Sequence, residues 1–221
     1  MFDYRENLLK ALKANTPHIE AIKILYELLI DGAKKNCLSS VWSPFGFSII
    51  YLNPPTSTDI VRLHIWLSNM RPKQVPDWPI HFHSWTLYSR ILCGSVTNNI
   101  YEVQQNRNGD RELYQAKYIN NNSSTLESTG VRVSCKLLKS KTYHAGQSYF
   151  VKPGEYHSVD AGENMLCATL VLMTDQNSDI PCIVGDVNHS NDYTYEREIL
   201  DGERSLKIIN ELSATLSNIY F

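Results

Sequence analysis

Residues 78–85 read Trp-Pro-Ile-His-Phe-His-Ser-Trp, so two histidines, His81 and His83, stand two positions apart in an aromatic-rich stretch. Along a β-strand successive side chains point to opposite faces, and residues i and i+2 share a face. The spacing therefore predicts an extended segment in which both imidazoles point the same way. Two imidazoles on one face could bind the same metal ion.

A second histidine-bearing stretch follows further along the chain. Residues 146–157 read Gly-Gln-Ser-Tyr-Phe-Val-Lys-Pro-Gly-Glu-Tyr-His, a strand pattern that enters a Pro-Gly turn and ends at His157. In a small antiparallel barrel, two such histidine-bearing segments could together form a three-histidine site at the open end.

Together the two stretches resemble the paired motifs of the cupin superfamily, G-x5-H-x-H-x(3,4)-E-x6-G and G-x5-P-x-G-x2-H-x3-N. The resemblance covers roughly the central 100 residues of the chain. It implies a mainly β fold, a single antiparallel cupin barrel (double-stranded β-helix or jelly roll) with N-terminal helices and a C-terminal helix. The matching positions are His81, His83, Gly94, Gly146, Gly154 and His157.

Three positions depart from the cupin pattern. Leu87 stands where the family usually has its glutamate ligand. Lys152 stands in the expected proline position, with Pro153 beside it, and Ala161 takes the place of the final asparagine. The missing glutamate has the largest consequence, because it leaves a site of three neutral imidazoles without a carboxylate.

Such a site resembles the subset of cupins that includes the thiol dioxygenases, of which cysteine dioxygenase is one. The resemblance implies Fe(II) bound by His81, His83 and His157. Ligand type alone equally suits zinc, nickel, manganese or copper. His144, just before Gly146, competes for a ligand role, but the family ligand follows the Pro-Gly turn. The Ser-x-His-x-Tyr relay of cysteine dioxygenase is not found in the sequence.

Composition indicates one domain with a small-molecule partner. The chain has 221 residues, 43% of them hydrophobic, which is enough for one well-buried core. Lys and Arg number 21 against 23 Asp and Glu, without a dense basic run, so we expect neither a nucleic-acid nor a membrane partner. We expect no signal peptide or spanning helix. Five cysteines without C-x-x-C spacing are typical of reduced thiols and hence of a cytoplasmic protein.

We expect one structural domain in three parts, an N-terminal helical segment, the barrel and a C-terminal helix, over residues 1–40, 41–192 and 193–221. Residues 5–35 carry apolar side chains at three- and four-residue steps, with a break at 15–17. Thr16 before Pro17 predicts the N-cap of a second helix. These helices would pack across the outside of the barrel or form the contact of a homodimer.

Residues 60–67, Ile-Val-Arg-Leu-His-Ile-Trp-Leu, predict a strand with clear alternation. One face would be apolar, and the other would carry Arg62, His64 and Trp66. If this second face lines the barrel interior, Arg62 could hold a substrate carboxylate and His64 could carry a proton. Trp66 and Trp85 would then form the dry wall of a substrate pocket. The alternative is a solvated outer face with its tryptophan lying on a neighbouring element.

Tyr88 has two interpretations. Strict alternation from the two histidines would put Trp85 and Leu87 on the metal side. Tyr88 and Arg90 would then face away from the metal. A bulge after His83 would reverse this parity and bring the Tyr88 phenol to the metal as a catalytic group.

Three functions are compatible with these residues. The first is a mononuclear non-haem iron dioxygenase that acts, with dioxygen, on a small molecule such as a thiol or an amino acid derivative. The second is a non-oxidative cupin enzyme, an isomerase, lyase or decarboxylase, whose divalent metal acts as a Lewis acid. The third is a sensor barrel that binds a small ligand and signals through its terminal helices.

Overall fold

A computed structural model of the chain describes residues 2–52, 54, 57–119, 122–162, 164–187 and 192–221. Within these ranges the chain forms two antiparallel β-sheets and three α-helices. The helices are α1 (Phe2–Lys13), α2 (His18–Lys34) and α3 (Gly202–Tyr220). The strands are β1 (Ser40–Trp42), β2 (Ser48–Tyr51), β3 (Ile60–Trp66), β4 (Thr86–Cys93), β5 (Ser95–Gln105), β6 (Arg111–Tyr118), β7 (Ser123–His144), β8 (Ser148–Val151), β9 (Tyr156–Ala161), β10 (Cys167–Thr174), β11 (Cys182–Asp186), β12 (Tyr193–Glu196) and β13 (Glu198–Ile199).

The two sheets enclose the interior of the barrel. In the first sheet the strand order is β13-β1-β2-β3-β10-β4-β8. In the second it is β11-β6-β7-β5-β9, and β12 pairs with β7. Neighbouring strands pair antiparallel throughout the described ranges. The prediction of a mainly β, antiparallel jelly-roll barrel with N-terminal helices and a C-terminal helix is confirmed.

Strand β3 is buried on both faces because the helices cover its outer side. Leu63 and Ile65 are fully buried in one hydrophobic cluster with apolar side chains of α2 and α3. The opposite face carries Arg62, His64 and Trp66, all of which line the interior cavity. The alternative of a solvated polar face therefore does not hold for this strand.

The start of the second helix differs from the prediction. Thr16 does not cap α2; its Oγ1 donates to Ala11 O at 3.1 Å, at the end of α1. Helix α2 begins directly after Pro17 without a side-chain cap. No helix in the described ranges is long and apolar enough to cross a membrane.

The C-terminal helix is shorter than predicted. Residues 193–199 form strands β12 and β13, which pair with β7 and β1. Helix α3 begins at Gly202, where the Asp201 side chain accepts a hydrogen bond from Arg204 N. Pairing with two existing strands thus replaces the first two turns of the expected helix.

Trp78, at the start of the histidine-bearing segment, packs directly on the backbone of β11. Its indole lies so close to Gly185 that a Cβ there would be only 2.5 Å from a Trp78 ring carbon. The indole N–H donates to the Asp186 carboxylate at 3.1 Å. The ring also packs against Tyr114, with centroids 4.5 Å apart. These contacts fix the place where the segment enters the barrel.

We expect Gly185→Ala to lower the free energy of unfolding by about 1–3 kcal/mol, because the added methyl group must displace a buried indole. Urea denaturation measures the difference. The matched control is Gly202→Ala, where a Cβ would meet nothing closer than 3.6 Å. For this control we expect a change within about 0.5 kcal/mol. Equal stability of Gly185→Ala and the parent protein would contradict the packing argument.

Candidate metal centre

A short extended segment, residues 80–84, carries His81 and His83 between the two end strands of the second sheet. His81 exchanges backbone hydrogen bonds of 3.0 and 2.8 Å with His157 of β9. Two further backbone hydrogen bonds, of 3.1 and 2.8 Å, join the other side of the segment to β11. The segment therefore links β9 to β11 and sets His157 directly opposite His81.

The side chains of His81, His83 and His157 converge on one point. Each offers one ring nitrogen, and these nitrogens all lie within 4.8 Å of one another. The three ring centroids are 4.6, 4.8 and 5.2 Å apart. Imidazole nitrogens bound to one ion at about 2.0–2.1 Å lie no more than about 4.2 Å apart. Small ring rotations would therefore bring all three nitrogens to a shared ion.

Hydrogen bonds on the far side of two of the rings determine which nitrogen faces the centre. His81 Nδ1 donates to Pro79 O at 2.8 Å, and His157 Nδ1 donates to Asn98 Oδ1 at 3.0 Å. A proton on Nδ1 leaves the lone pair of a neutral imidazole on Nε2. Partners of this kind orient metal-binding histidines and increase their basicity.

The Nε2 atoms themselves fit a bound cation. His157 Nε2 is buried and makes no hydrogen bond within the described residues. His81 Nε2 and His83 Nε2 are 3.1 Å apart. Because His81 Nε2 carries a lone pair, this approach requires either a proton on His83 or a cation shared by both rings. A buried nitrogen without a partner calls for an explanation, and one metal ion would satisfy all three rings.

Burial keeps the three imidazoles in their neutral form. Desolvation is the largest cause in each case, and it lowers the pKa of His81 and lowers those of His83 and His157 well below the ordinary histidine range. For His81 the hydrogen bond to Pro79 O acts in the opposite direction. Neutral imidazole is the form that binds metal. The rings are therefore ready to bind an ion near neutral pH.

The histidines open into a cavity of about 2110 Å³ between the two sheets. Arg62, His64 and Trp66 of β3 line the same cavity, as does Trp85. His64 Nε2 is buried without a hydrogen-bond partner among the described residues, and its ring packs on Phe47 with centroids 4.7 Å apart. The structure thus brings the predicted substrate-binding side chains and His64 to the predicted metal ligands.

Tyr88 lies outside this group. Its side chain is 50% exposed, and its ring contacts Phe150 of β8 with centroids 6.2 Å apart. Trp85 and Leu87 line the cavity and Tyr88 does not, as alternation without a reversal of parity predicts, and Leu87 and Tyr88 pair with Val151 and Phe150. Alternation therefore places Leu87 in the cavity wall and Tyr88 outside it. The assignment of Tyr88 as a catalytic residue is corrected accordingly.

Leu87, at the cupin glutamate position, and His144, the competing ligand candidate, do not belong to the three-histidine group. Leu87 is 4% exposed and packs in an apolar cluster with Val151 and Met173. Within the described residues no carboxylate or thiol joins the three-histidine group. His144 is an exposed residue at the end of β7, paired with Ser95, and it does not line the cavity.

Two residues of the centre were not predicted. Asn98, which orients His157, is 5% exposed on β5, and the adjacent Asn99 is buried as well, so alternation did not indicate which of them faces inward. Phe45 stacks on the His81 ring at 5.3 Å between centroids and an interplanar angle of 8°. It comes from a loop before β2, and no sequence pattern connects that loop to the histidines.

No family model and no curated relative matches this sequence. Similar solved structures include a variant of oxalate decarboxylase from Bacillus subtilis, with 11% identity and a TM-score of 0.34 over 59% of this chain and 26% of that one. DMSP lyase DddQ from Ruegeria pomeroyi DSS-3 has 12% identity and a TM-score of 0.35 over 62% and 50% of the two chains. The polyketide cyclase RemF from Streptomyces resistomycificus has 16% identity and a TM-score of 0.35 over 66% and 74%.

The chain spans half or less of the length of the first two of these structures. At such identities and TM-scores the similarities assign neither a family nor an activity to this chain.

We expect Asn98→Ala to weaken the binding of Co²⁺ or Zn²⁺ by about 10–100-fold, because His157 loses the partner that fixes its Nδ1 proton. Competition with a chromophoric chelator near neutral pH measures the affinity. The matched control is Asn99→Ala, since the Asn99 amide donates to Ser158 and Asp160 instead. We expect this control to keep the parent affinity. Equal affinities of the two variants would show that Asn98 does not orient a metal ligand.

Proposed function

We propose that the protein is a mononuclear non-haem iron dioxygenase, with Fe(II) held by His81, His83 and His157, that acts on a small molecule such as a thiol or an amino acid derivative. The observation that carries the proposal is the convergence of three imidazole nitrogens, from the half-buried His81 and His83 and the buried His157, at the wall of an interior cavity. Imidazole is a ligand type that suits iron, and three such ligands leave coordination positions open. Bound Fe(II) would supply the activation of dioxygen next to the substrate.

The chain's own side chains would bind the substrate and exclude water. Trp66 is 6% exposed and packs against Phe47 with centroids 4.8 Å apart, and Trp85 adds to the same cavity wall. An apolar wall of this kind keeps water away from the reacting groups. Arg62 offers a planar guanidinium on which the anionic end of a substrate can be oriented.

We expect protein purified from cells to contain near-stoichiometric iron, measured by elemental mass spectrometry. The double variant His81→Ala/His157→Ala should lose this iron, since a single imidazole remains. Oxygen uptake with cysteine, cysteamine or 3-mercaptopropionate should depend on the iron and stop in the double variant. The matched control, His144→Ala, removes an exposed imidazole outside the cavity and should change neither quantity.

Two results would count against this function. Iron retained by the double variant at the parent stoichiometry would contradict the three-histidine site. Iron-loaded protein that consumes no oxygen with any small thiol or amino acid would contradict oxygenase chemistry, even with the metal site intact.

A second function, non-oxidative metal-dependent catalysis as in an isomerase, lyase or decarboxylase, is favoured by one observation at His64. Burial, followed by the nearby charge of Arg62, lowers the pKa of His64 well below the ordinary histidine range. Its Nε2 lies in the cavity wall without a hydrogen-bond partner among the described residues, so an unprotonated nitrogen there could take a proton from a bound substrate. A base beside a Lewis-acidic ion is the arrangement that proton transfer from a substrate carbon requires.

The requirement for oxygen distinguishes the dioxygenase from the non-oxidative enzyme. If the second one holds, metal-loaded protein should convert small carboxylic acids without oxygen, followed by proton NMR, and His64→Gln should slow this conversion by about 10²–10⁴-fold. Metal content should stay at the parent value, because His64 is not one of the three grouped histidines. Anaerobic conversion that is unchanged in His64→Gln would remove His64 from the chemistry.

A further inference from the structure

Two arginines from separate parts of the chain line the cavity. Arg62 belongs to β3, and Arg197 lies in the link between β12 and β13; both line the cavity. Arg62 Nε and Arg197 Nη1 are buried, and neither makes a hydrogen bond within the described residues. Buried guanidinium nitrogens need hydrogen-bond acceptors. A bound molecule could provide the acceptor oxygen atoms that these two nitrogens lack.

The other cations of the cavity wall do have partners. Arg71 donates four hydrogen bonds to backbone carbonyls. Lys73 and Lys117 form ion pairs with Asp77 and Glu127. Arg62 and Arg197 differ from these neighbours because each keeps one buried nitrogen without an acceptor among the described residues, although the Tyr51 hydroxyl hydrogen-bonds the Arg62 side chain.

No described carboxylate forms an ion pair with Arg62 or Arg197. The acidic side chains that line the cavity are engaged elsewhere: Asp77 with Lys73, Asp160 with Asn99, and Asp179 with Asn177. Within the described residues, the two positive charges thus share one wall without a carboxylate in ion-pair contact, although Asp160 and Asp179 keep their charges elsewhere in the wall.

The two guanidinium groups lie close enough to affect one another. Burial lowers the pKa of Arg62, Tyr51 and Tyr118 oppose this shift, and the charge of Arg197 adds to it. Arg197 also lies over the Tyr118 ring, 5.5 Å from its centroid. Arginine stays protonated in proteins, so the free protein holds two like charges in a partly desolvated place. An anion between them would replace repulsion with attraction.

We propose that Arg62 and Arg197 together bind a doubly negative head group of the substrate, such as a phosphate ester, a phosphonate or a dicarboxylate. A single carboxylate is matched by one guanidinium in a bidentate pair. One negative charge would therefore leave the second arginine uncompensated. Tyr51 and Tyr118 line the same end of the cavity and add hydroxyl groups to it.

The arginine pair and the histidine centre are parts of one cavity. Arg62 and His64 are alternate residues on the inward face of β3, so their Cα atoms are about 7 Å apart. The three grouped histidines line this cavity as well, so a substrate whose anionic end lies on the arginines can extend toward the histidine centre. This last step rests on the proposed function, whereas the anion site does not.

Calorimetric titration with inorganic phosphate, malonate and acetate, at slightly alkaline pH, tests the proposal on protein as purified and again after chelator treatment. We expect phosphate or malonate to bind at least about 10-fold more tightly than acetate, since only these two carry a double charge. Arg62→Gln and Arg197→Gln should each weaken dianion binding by about 10-fold or more, the loss of one charge-assisted hydrogen bond. Arg107→Gln, in the exposed turn after β5, is the matched control and should bind as the parent does.

Tighter binding of phosphate would identify a phosphate-type head group, and tighter binding of malonate a dicarboxylate; either supports the two-arginine site. Equal affinity for all three anions would overturn it, as would unchanged dianion binding in either arginine variant. Dianion binding by chelated protein is independent of the histidines. Protein that binds phosphate but no metal would therefore disprove the iron enzyme and leave the anion site standing.

Discussion

Backbone hydrogen bonding on both sides of residues 80–84 fixes the centre of this molecule. His81 pairs with His157 on one side and with Ile183 on the other. Buried backbone groups need partners, so the segment cannot slide without breaking bonds to two strands at once. A shift by one residue would also turn both of its histidines away from the cavity. The convergence of the imidazoles thus follows from strand register and does not depend on flexible side chains.

The described wall of the cavity carries more positive than negative side chains. Its candidate ligands are neutral imidazoles, so a divalent ion bound there would keep its full charge. Arg62 and Arg197 add positive charge nearby, and the acidic groups of the wall are engaged with other residues. A cavity with low-dielectric walls and charge of one sign concentrates molecules of the opposite sign. If the proposed sites hold, the apolar Leu87 in place of a carboxylate and the arginine pair would both favour an anionic substrate.

The sequence alone predicted those strands whose inward and outward faces follow from the alternation of side chains. The grouping of His81 with His83, the inward row on β3 and the positions of Trp85 and Leu87 all follow from a period of two. Contacts between distant segments were not predictable in this way. Arg197 lies in a stretch that was expected to be helical, and it became extended because β12 and β13 found partners in β7 and β1. Asn98 acquires its role only through the pairing of β5 with β9.

The contact between Trp78 and Gly185 also constrains how the sequence can evolve. Any side chain at position 185 would collide with the indole, whereas a smaller residue at position 78 would make room for one. Residues in such contact do not have additive effects on stability. A substitution at position 185 therefore costs more stability while the tryptophan is present than after position 78 has changed. Selection that preserves the tryptophan thus also favours the glycine, and with both of them the path by which the histidines enter the barrel.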